Sequence, residues 1–427
     1  MRQPVGPSFI IFIYFFSFSV SLFQPPTRTH AIPLYPIRVI LPERATRSRE
    51  LMKIIEILSA ILLVICLTPA GLPPADALPI LPSGKENPLP LLYPELESLP
   101  APPWVVEGLR ATYYATVEGG AVGGGQAGEA LIQIDLVALE GKTAVTSTSV
   151  YVRGPLGSLR PLTGAGHGSI VPAGLGDFWA SPEVLEAAAE GADDRVTIIR
   201  GPVEVAGTNY QGIRFEVSHG GVRYSITYDE ETGLLLHHRY DILAADGSAV
   251  ETGIIDFRNT RQLEIPWAGG SSPGWLSPGL TMTYQGQTVY EIPGTVPSPF
   301  PVTLTAEVVS AGAKSSLIRW SAGGDGGRLI PVRSAAGVYQ LMGFWLPSAA
   351  LAIDDGGDVD SDPDTGMMIT VIQNDQNGVV FEETNGQDYR RLLTYDKATG
   401  KLLTSYEEQL TEAMTGTVQK TWLELAV

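Results

Sequence analysis

The chain has 427 residues, 44% hydrophobic and 17% charged, with a formal net charge of −18. That length suits two or three domains, and the apolar share supports a globular body with real cores. An acid excess of this size repels phosphate backbones and anionic lipid heads, which speaks against nucleic acid as a partner. Gly (47) and Pro (33) are both abundant, which favours many short strands joined by turns over a helical bundle.

Two apolar runs stand near the start, about residues 9–23 and 54–67. Both are shorter than the roughly 18–20 residues of a spanning helix. The second follows Met52-Lys53 and leads to Ala75-Asp76-Ala77, so 52–77 reads as a signal peptide. Met52 then reads as the true start, and 1–51 as an extra leader. The alternative is an uncleaved N-terminus, through which the chain would touch a membrane. Cys66 is the single cysteine, so no intramolecular disulfide forms. Its neighbour Ile65 is a poor fit to a lipidation site. Residues 78–103 are dense in Pro and Leu and read as an extended linker, with a strap along the first domain as the alternative.

From Trp104 onward the chain repeats itself. Trp104-x-x-x-Gly108-Leu109 returns as Trp275-x-x-x-Gly279-Leu280. Phe178-Trp179 returns as Phe344-Trp345. Gly212-x-x-Phe215-Glu216 returns as Gly378-x-x-Phe381-Glu382. Thr227-Tyr228-Asp229-x-x-Thr232-Gly233 returns as Thr394-Tyr395-Asp396-x-x-Thr399-Gly400. The offsets are 171, 166, 166 and 167, in order and nearly in register. This defines copy one at 104–267, a Gly/Ser/Pro joint at 268–274 that reads as flexible, and copy two at 275–427.

Within copy one, residues 111–118, 130–140 and 144–153 carry the Val/Ile/Thr/Tyr content of strands. Ser181-Pro182 opens a short helix that Gly191 ends. Further strands are expected at 195–200, 203–206, 211–217, 221–228, 234–242 and 250–265. The fold class is therefore mainly β: two tandem antiparallel meanders, half-barrel or barrel-like, each with a short helix.

The hairpins Tyr228-Asp229-Glu230-Glu231-Thr232-Gly233-Leu234-Leu235 and Tyr395-Asp396-Lys397-Ala398-Thr399-Gly400-Lys401-Leu402 resemble one in exported half-barrel proteins, the periplasmic lipoprotein-carrier and LppX-like group. The resemblance covers about 30 residues per copy and carries no catalytic residue. It implies a cavity for acyl chains or another amphiphile, with lipid as the partner. The chain's duplication departs from the usual single-domain carrier.

Few residues carry chemistry. Adjacent His237 and His238 on a strand point to opposite faces and cannot share a metal. Gly270-Ser271-Ser272-Pro273-Gly274 has the letters of a hydrolase elbow but lies in the joint. Gly123 to Gly128 has the letters of a dinucleotide loop but precedes a strand. The acidic run supplies Asp358, Asp360, Asp362 and Asp364 as hard oxygens for Ca²⁺, although Pro363 and Ile369 break the EF-hand pattern. No other cofactor is indicated. Trp104, Trp179, Trp275 and Trp345 recur at matched positions, as core residues do. Phe178, Trp179, Phe344 and Trp345 also remain candidates to line a ligand cleft. The expectation is an exported, non-enzymatic binding or carrier protein for an amphiphilic or apolar ligand. The alternatives are a cell-surface structural or adhesion protein on a Pro-rich stalk, and a hydrolase whose site the sequence does not reveal.

Overall fold

The computed structural model describes residues 88–94, 98–119, 128–162, 165–191, 194–267, 269–323 and 332–426. The expected leader, the signal peptide, Cys66 and the first part of the linker lie outside the described residues. Copy one supplies β1 (Leu109–Gly119), β2 (Gly128–Glu140), β3 (Thr143–Arg153), β4 (Leu159–Pro161), β5 (His167–Pro172), β6 (Val196–Val205), β7 (Thr208–His219), β8 (Val222–Asp229), β9 (Leu235–Leu243) and β10 (Ala249–Gln262). Copy two supplies β11 (Thr281–Glu291), β12 (Ser298–Ala311), β13 (Ser315–Gly323), β14 (Val332–Gly337), β15 (Asp358–Ser361), β16 (Met368–Asn374), β17 (Val379–Thr384), β18 (Tyr389–Tyr395), β19 (Leu402–Glu412) and β20 (Thr417–Leu425).

Each copy forms one ten-stranded antiparallel sheet. The first runs β4-β3-β2-β1-β10-β9-β8-β7-β6, with β5 also on β3, and the second runs β14-β13-β12-β11-β20-β19-β18-β17-β16-β15. In both, the last strand returns to pair with the first. The first sheet curls: β6 comes within 8 Å of β10, Cα to Cα, although three strands separate them. A flat sheet spaced at about 4.8 Å per strand could not bring them together. The two strands expected at 195–200 and 203–206 are one strand, β6, running through Gly201-Pro202. Pro202 is tolerated because β6 is the sheet edge, where a missing N–H leaves no ladder partner unsatisfied.

The repeated motifs close each sheet in the same way. The Trp104 indole N–H donates to the Thr232 carbonyl at 2.6 Å, and Trp275 to Thr399 at 2.7 Å. Asp229 and Asp396 accept from the N–H groups of Thr232 and Thr399, fixing the turn. Gly233 and Gly400 follow at φ +74° and +69°. A Cβ there would also strike the carbonyl oxygens of Ala180 and Leu346, because the Phe-Trp segment crosses the turn. Leu235 N–H donates to Phe178, and Leu402 N–H to Phe344. The Tyr113 and Tyr284 hydroxyls donate to the Leu235 and Leu402 carbonyls.

The copies differ in what covers the inner face, the one that carries these aromatics. In copy one the helix Pro182–Glu190 buries Val184, Leu185 and Ala188 against it. Ser181 caps the helix by accepting from the Val184 N–H. In copy two a three-residue 3₁₀ turn, Ala350–Ala352, stands in the helix's place.

The described residues read as linker pack as a strap, and the end of copy one reaches into copy two. Leu89 and Tyr93 are buried in the first core, with Leu99 and Ala101 packed on it, and the Tyr93 hydroxyl donates to the Gly191 carbonyl. Leu263, Ile265 and Trp267 are buried in the core of copy two, where Trp267 meets the Phe381 ring edge-on. The joint is not a free hinge: Ser272 N–H donates to the Ala313 carbonyl, and Pro347 packs close to Gly270. Apolar side chains at these positions had a core within reach, and burial outweighs the extended preference of Pro.

Candidate functional site

The aromatics nominated for a cleft are core. Phe178, Trp179 and Trp345 are 0% exposed and Phe344 is 2%. Trp179 donates to the Ala173 carbonyl and Trp345 to the Ser316 hydroxyl, so their polar atoms are satisfied internally. Nothing is left on them for a ligand to touch.

The aspartates nominated for Ca²⁺ meet arginines. Arg110 on β1 grips Asp135 of β2 with two bonds, 2.6 and 2.8 Å, and reaches across to Asp362 at 2.6 Å. Arg261 on β10 grips Asp360 with two bonds of 2.8 Å and adds Asp362 at 2.9 Å. Gln133 donates a further bond to Asp362. Asp364 receives Arg258 and Asn259, while Asp358 is exposed on β15. The oxygens expected around a cation are thus held by guanidinium and amide donors, in the bidentate geometry that suits arginine. Among the described residues no group of three or more His, Cys, Asp or Glu is arranged to hold a metal ion.

Asp362 shows the electrostatics of this joint. Burial opposes its ionisation, yet Arg110, the Gln133 amide, the Thr365 N–H and Arg261 outweigh that and hold the carboxyl well below its ordinary range. For Arg110 burial likewise disfavours the charge, and Asp135 and Asp362 more than restore it. Arg391 and Glu383 of copy two add a pair at 2.7 Å.

The joint ties the copies together. Copy one's outer face, carrying Arg110, Gln133, Asp135 and Tyr151, seats against copy two. Leu131 and Tyr151 pack on Met367 and Tyr389, and Val137, Ala138 and Val145 pack on Ala335. Glu140 accepts from the Lys314 N–H and the Ser315 hydroxyl, Glu107 pairs with Lys314, and Asp388 accepts from Ser158. A cavity of about 50 Å³ lies within the joint, lined by Arg110, Asp135, Tyr151, Asp362, Glu383 and Arg391 among others. At roughly 10–15 Å³ per water it has room for a few waters and not for an acyl chain. With each charge opposed by a partner, the arrangement positions two bodies; it presents no nucleophile beside a base.

Sequence reasoning missed Arg110, Gln133, Asp135 and Arg261. A signal was there: Gln133 and Asp135 alternate with Ile132, Ile134 and Leu136, marking a two-faced strand. That strand is buried almost throughout, because both faces are covered.

A second feature is an open stretch of inner face in copy two. Thr288 pairs with Phe300 on β12 and Thr421 on β20, and Thr421 pairs with Glu407 on β19. One row further, Tyr290 pairs with Gln419, which pairs with Gln409. These side chains meet across the strands: the Tyr290 and Phe300 rings edge-on at 6.2 Å, the Thr288 and Thr421 hydroxyls at 2.9 Å, and Gln409 donating to Gln419 at 3.2 Å. Phe300 is 54% exposed and the others are partly exposed. In copy one the row matching Thr288 is Val117, Gly253, Tyr240 and Tyr224, with Val117 only 7% exposed.

No family model matches the chain, and no curated protein matches it. Among solved structures it is similar to MucB in complex with MucA(peri), at 13% identity, covering 75% of this chain and 88% of that one with a TM-score of 0.20. It is similar to MucB alone at 13% identity, covering 54% and 86% with a TM-score of 0.21. A protein of unknown function from the DUF3598 family of Nostoc punctiforme matches at 11% identity, covering 75% and 96% with a TM-score of 0.14. At TM-scores this low, none of them assigns a family or an activity.

Proposed function

We propose that this chain is an exported, non-enzymatic binding protein whose ligand lies on the open inner face of copy two, across β11, β12, β19 and β20. One observation carries the reading. The same ladder row holds the buried Val117 beside partly exposed Tyr240 and Tyr224 in copy one, whereas in copy two Val117 gives way to the partly exposed Thr288, flanked by Thr421 and the exposed ring of Phe300. Aromatic rings beside hydroxyls and amides are the usual furniture of a ligand surface. An acyl chain inside either core has no support from Phe178, Trp179, Phe344 or Trp345, which are already packed. An amphiphile would have to lie on the open face instead.

The test is amide hydrogen exchange on the full exported chain, alone and with separate lipid and polysaccharide fractions of a cell envelope. Slowed exchange confined to β11–β12 and β19–β20 is expected with at least one fraction. Unchanged exchange there with every fraction would overturn the assignment. A second reading, a cell-surface structural protein, draws on the arginine–aspartate joint, which makes the two copies one stiff body. It predicts that no fraction binds and that the chain instead associates with itself.

A further inference from the structure

We infer that the ligand of the open face is an uncharged oligosaccharide chain, a deepening that rests on the binding-protein reading above. The inference starts from the side chains in the two exposed rows. Thr288, Thr421, Gln409 and Gln419 are neutral, and each hydroxyl or amide both donates and accepts. Sugar hydroxyls have the same dual character. Phe300, 54% exposed and edge-on to Tyr290, adds a flat apolar surface of the size of a pyranose face.

Charge narrows the class. Glu407 is the carboxylate of the row, and it lies in the field of the Arg391 guanidinium, whose charge it stabilises. The face therefore offers no spare anion to a cationic peptide. A chain with a net charge of −18 repels an anionic polymer. A lipid surface calls for a continuous apolar patch, which alternating Thr and Gln interrupt. An uncharged polyhydroxyl chain fits what remains.

The face is also continuous with the joint between the copies. Arg160 of copy one donates to Gln409, so copy one forms one wall of the site and the site is complete only when both copies are in place. The cross-strand spacing of about 4.8 Å from Phe300 through Thr288 and Thr421 toward Glu407 gives a track of roughly 15 Å, the reach of about three sugar units.

The experiment is titration calorimetry of the full exported chain with hexaoses of glucose, xylose, mannose and N-acetylglucosamine. At least one is expected to bind saturably. Its affinity should fall at least tenfold in Phe300→Ala and in Gln419→Ala. Trp422→Ala, on the opposite face of β20, should stay within twofold of the parent. The substituted residues are exposed or partly exposed, and unchanged thermal unfolding of each variant confirms that the fold is kept. No binding of any hexaose at millimolar concentration, or binding that survives Phe300→Ala, overturns the inference. The hydrogen-exchange experiment separates the two claims. Protection of β11–β12 and β19–β20 by a lipid fraction, with no hexaose bound, removes the oligosaccharide and keeps the binding face. No protection by any fraction removes both.

Discussion

The two copies share a topology and a closing motif but not an environment. Copy one is enclosed on both sides of its central strands: the helix Pro182–Glu190 and the strap segments 88–94 and 98–105 fill its inner face, and copy two seats on its outer face. Strand β2 consequently has nine consecutive buried residues. The matching strand of copy two, β12, has only two buried residues among fourteen. Copy two has a 3₁₀ turn where copy one has the helix, adds β15, and holds copy one through the β15–β16 hairpin. The comparison teaches that duplication conserved the closure of each sheet, while the residues between the closures diverged with the surroundings.

The largest test of this comparison is Arg110→Ala. It removes the donor shared by Asp135 and Asp362 and leaves buried carboxylates short of a partner, a change worth up to about 5 kcal/mol. Chemical denaturation should show the loss, and a new separation of the transitions of the two copies would confirm that the joint couples them. A loss below about 1 kcal/mol would mean that the joint is peripheral.

Next come the paired closures. Trp179→Ala and Trp345→Ala each delete a fully buried indole and should each destabilise by about 3–5 kcal/mol. Similar losses would show that the closures remain equivalent. A much smaller loss for Trp345 would show that the two closures are no longer equivalent.

An acid test separates the copies further. His238 is buried between the Tyr224 and Tyr240 rings, and its ring nitrogens have no hydrogen-bond partner. Burial, with His237 adding to it, lowers its pKa from 6.5 to about 3. The folded state thus favours the neutral ring. Its contribution is whole above pH 6.5 and is lost as pH falls toward 3, by about 2 kcal/mol at pH 5. Ser405 holds the matching position in copy two and has no such titration. Thermal unfolding of His238→Phe should decline less steeply between pH 7 and 5 than the parent, the remaining slope coming in part from His167, whose pKa burial also lowers. Equal slopes would remove His238 as the acid-sensitive point.

The smallest expected effect is Phe300→Ala, which should change stability by no more than about 0.5 kcal/mol, since the ring is half exposed. A larger loss, read in the same unfolding experiment, would mean that the open face is part of the core.

Much of the fold was legible. Trp-x-x-x-Gly-Leu, Phe-Trp and Tyr-Asp-x-x-Thr-Gly announced the duplication, and they prove to be one closure, in which a local Asp-Thr turn accepts an indole N–H from more than a hundred positions away. The candidate site was less legible. Asp360 and Asp362 stood out as an acidic run, but their partners Arg110 and Arg261 lie about a hundred or more positions away. Phe178 and Trp179 read first as core from their recurrence, but a cleft stayed open as a reading, because an exposed aromatic and a buried one are the same letter.

The sequence by itself determined the β class, the repeat, the turns at Gly233 and Gly400 and the helix at Ser181-Pro182, since each depends on backbone preference and residues close in the chain. Only the tertiary structure decided that the Pro-rich segment packs as a strap, that the end of copy one reaches into copy two's core, that the aspartates pair with arginines, and that copy two keeps an open face. Those outcomes depend on which surfaces meet, and residues far apart in the chain set that by burying apolar area and neutralising charge together.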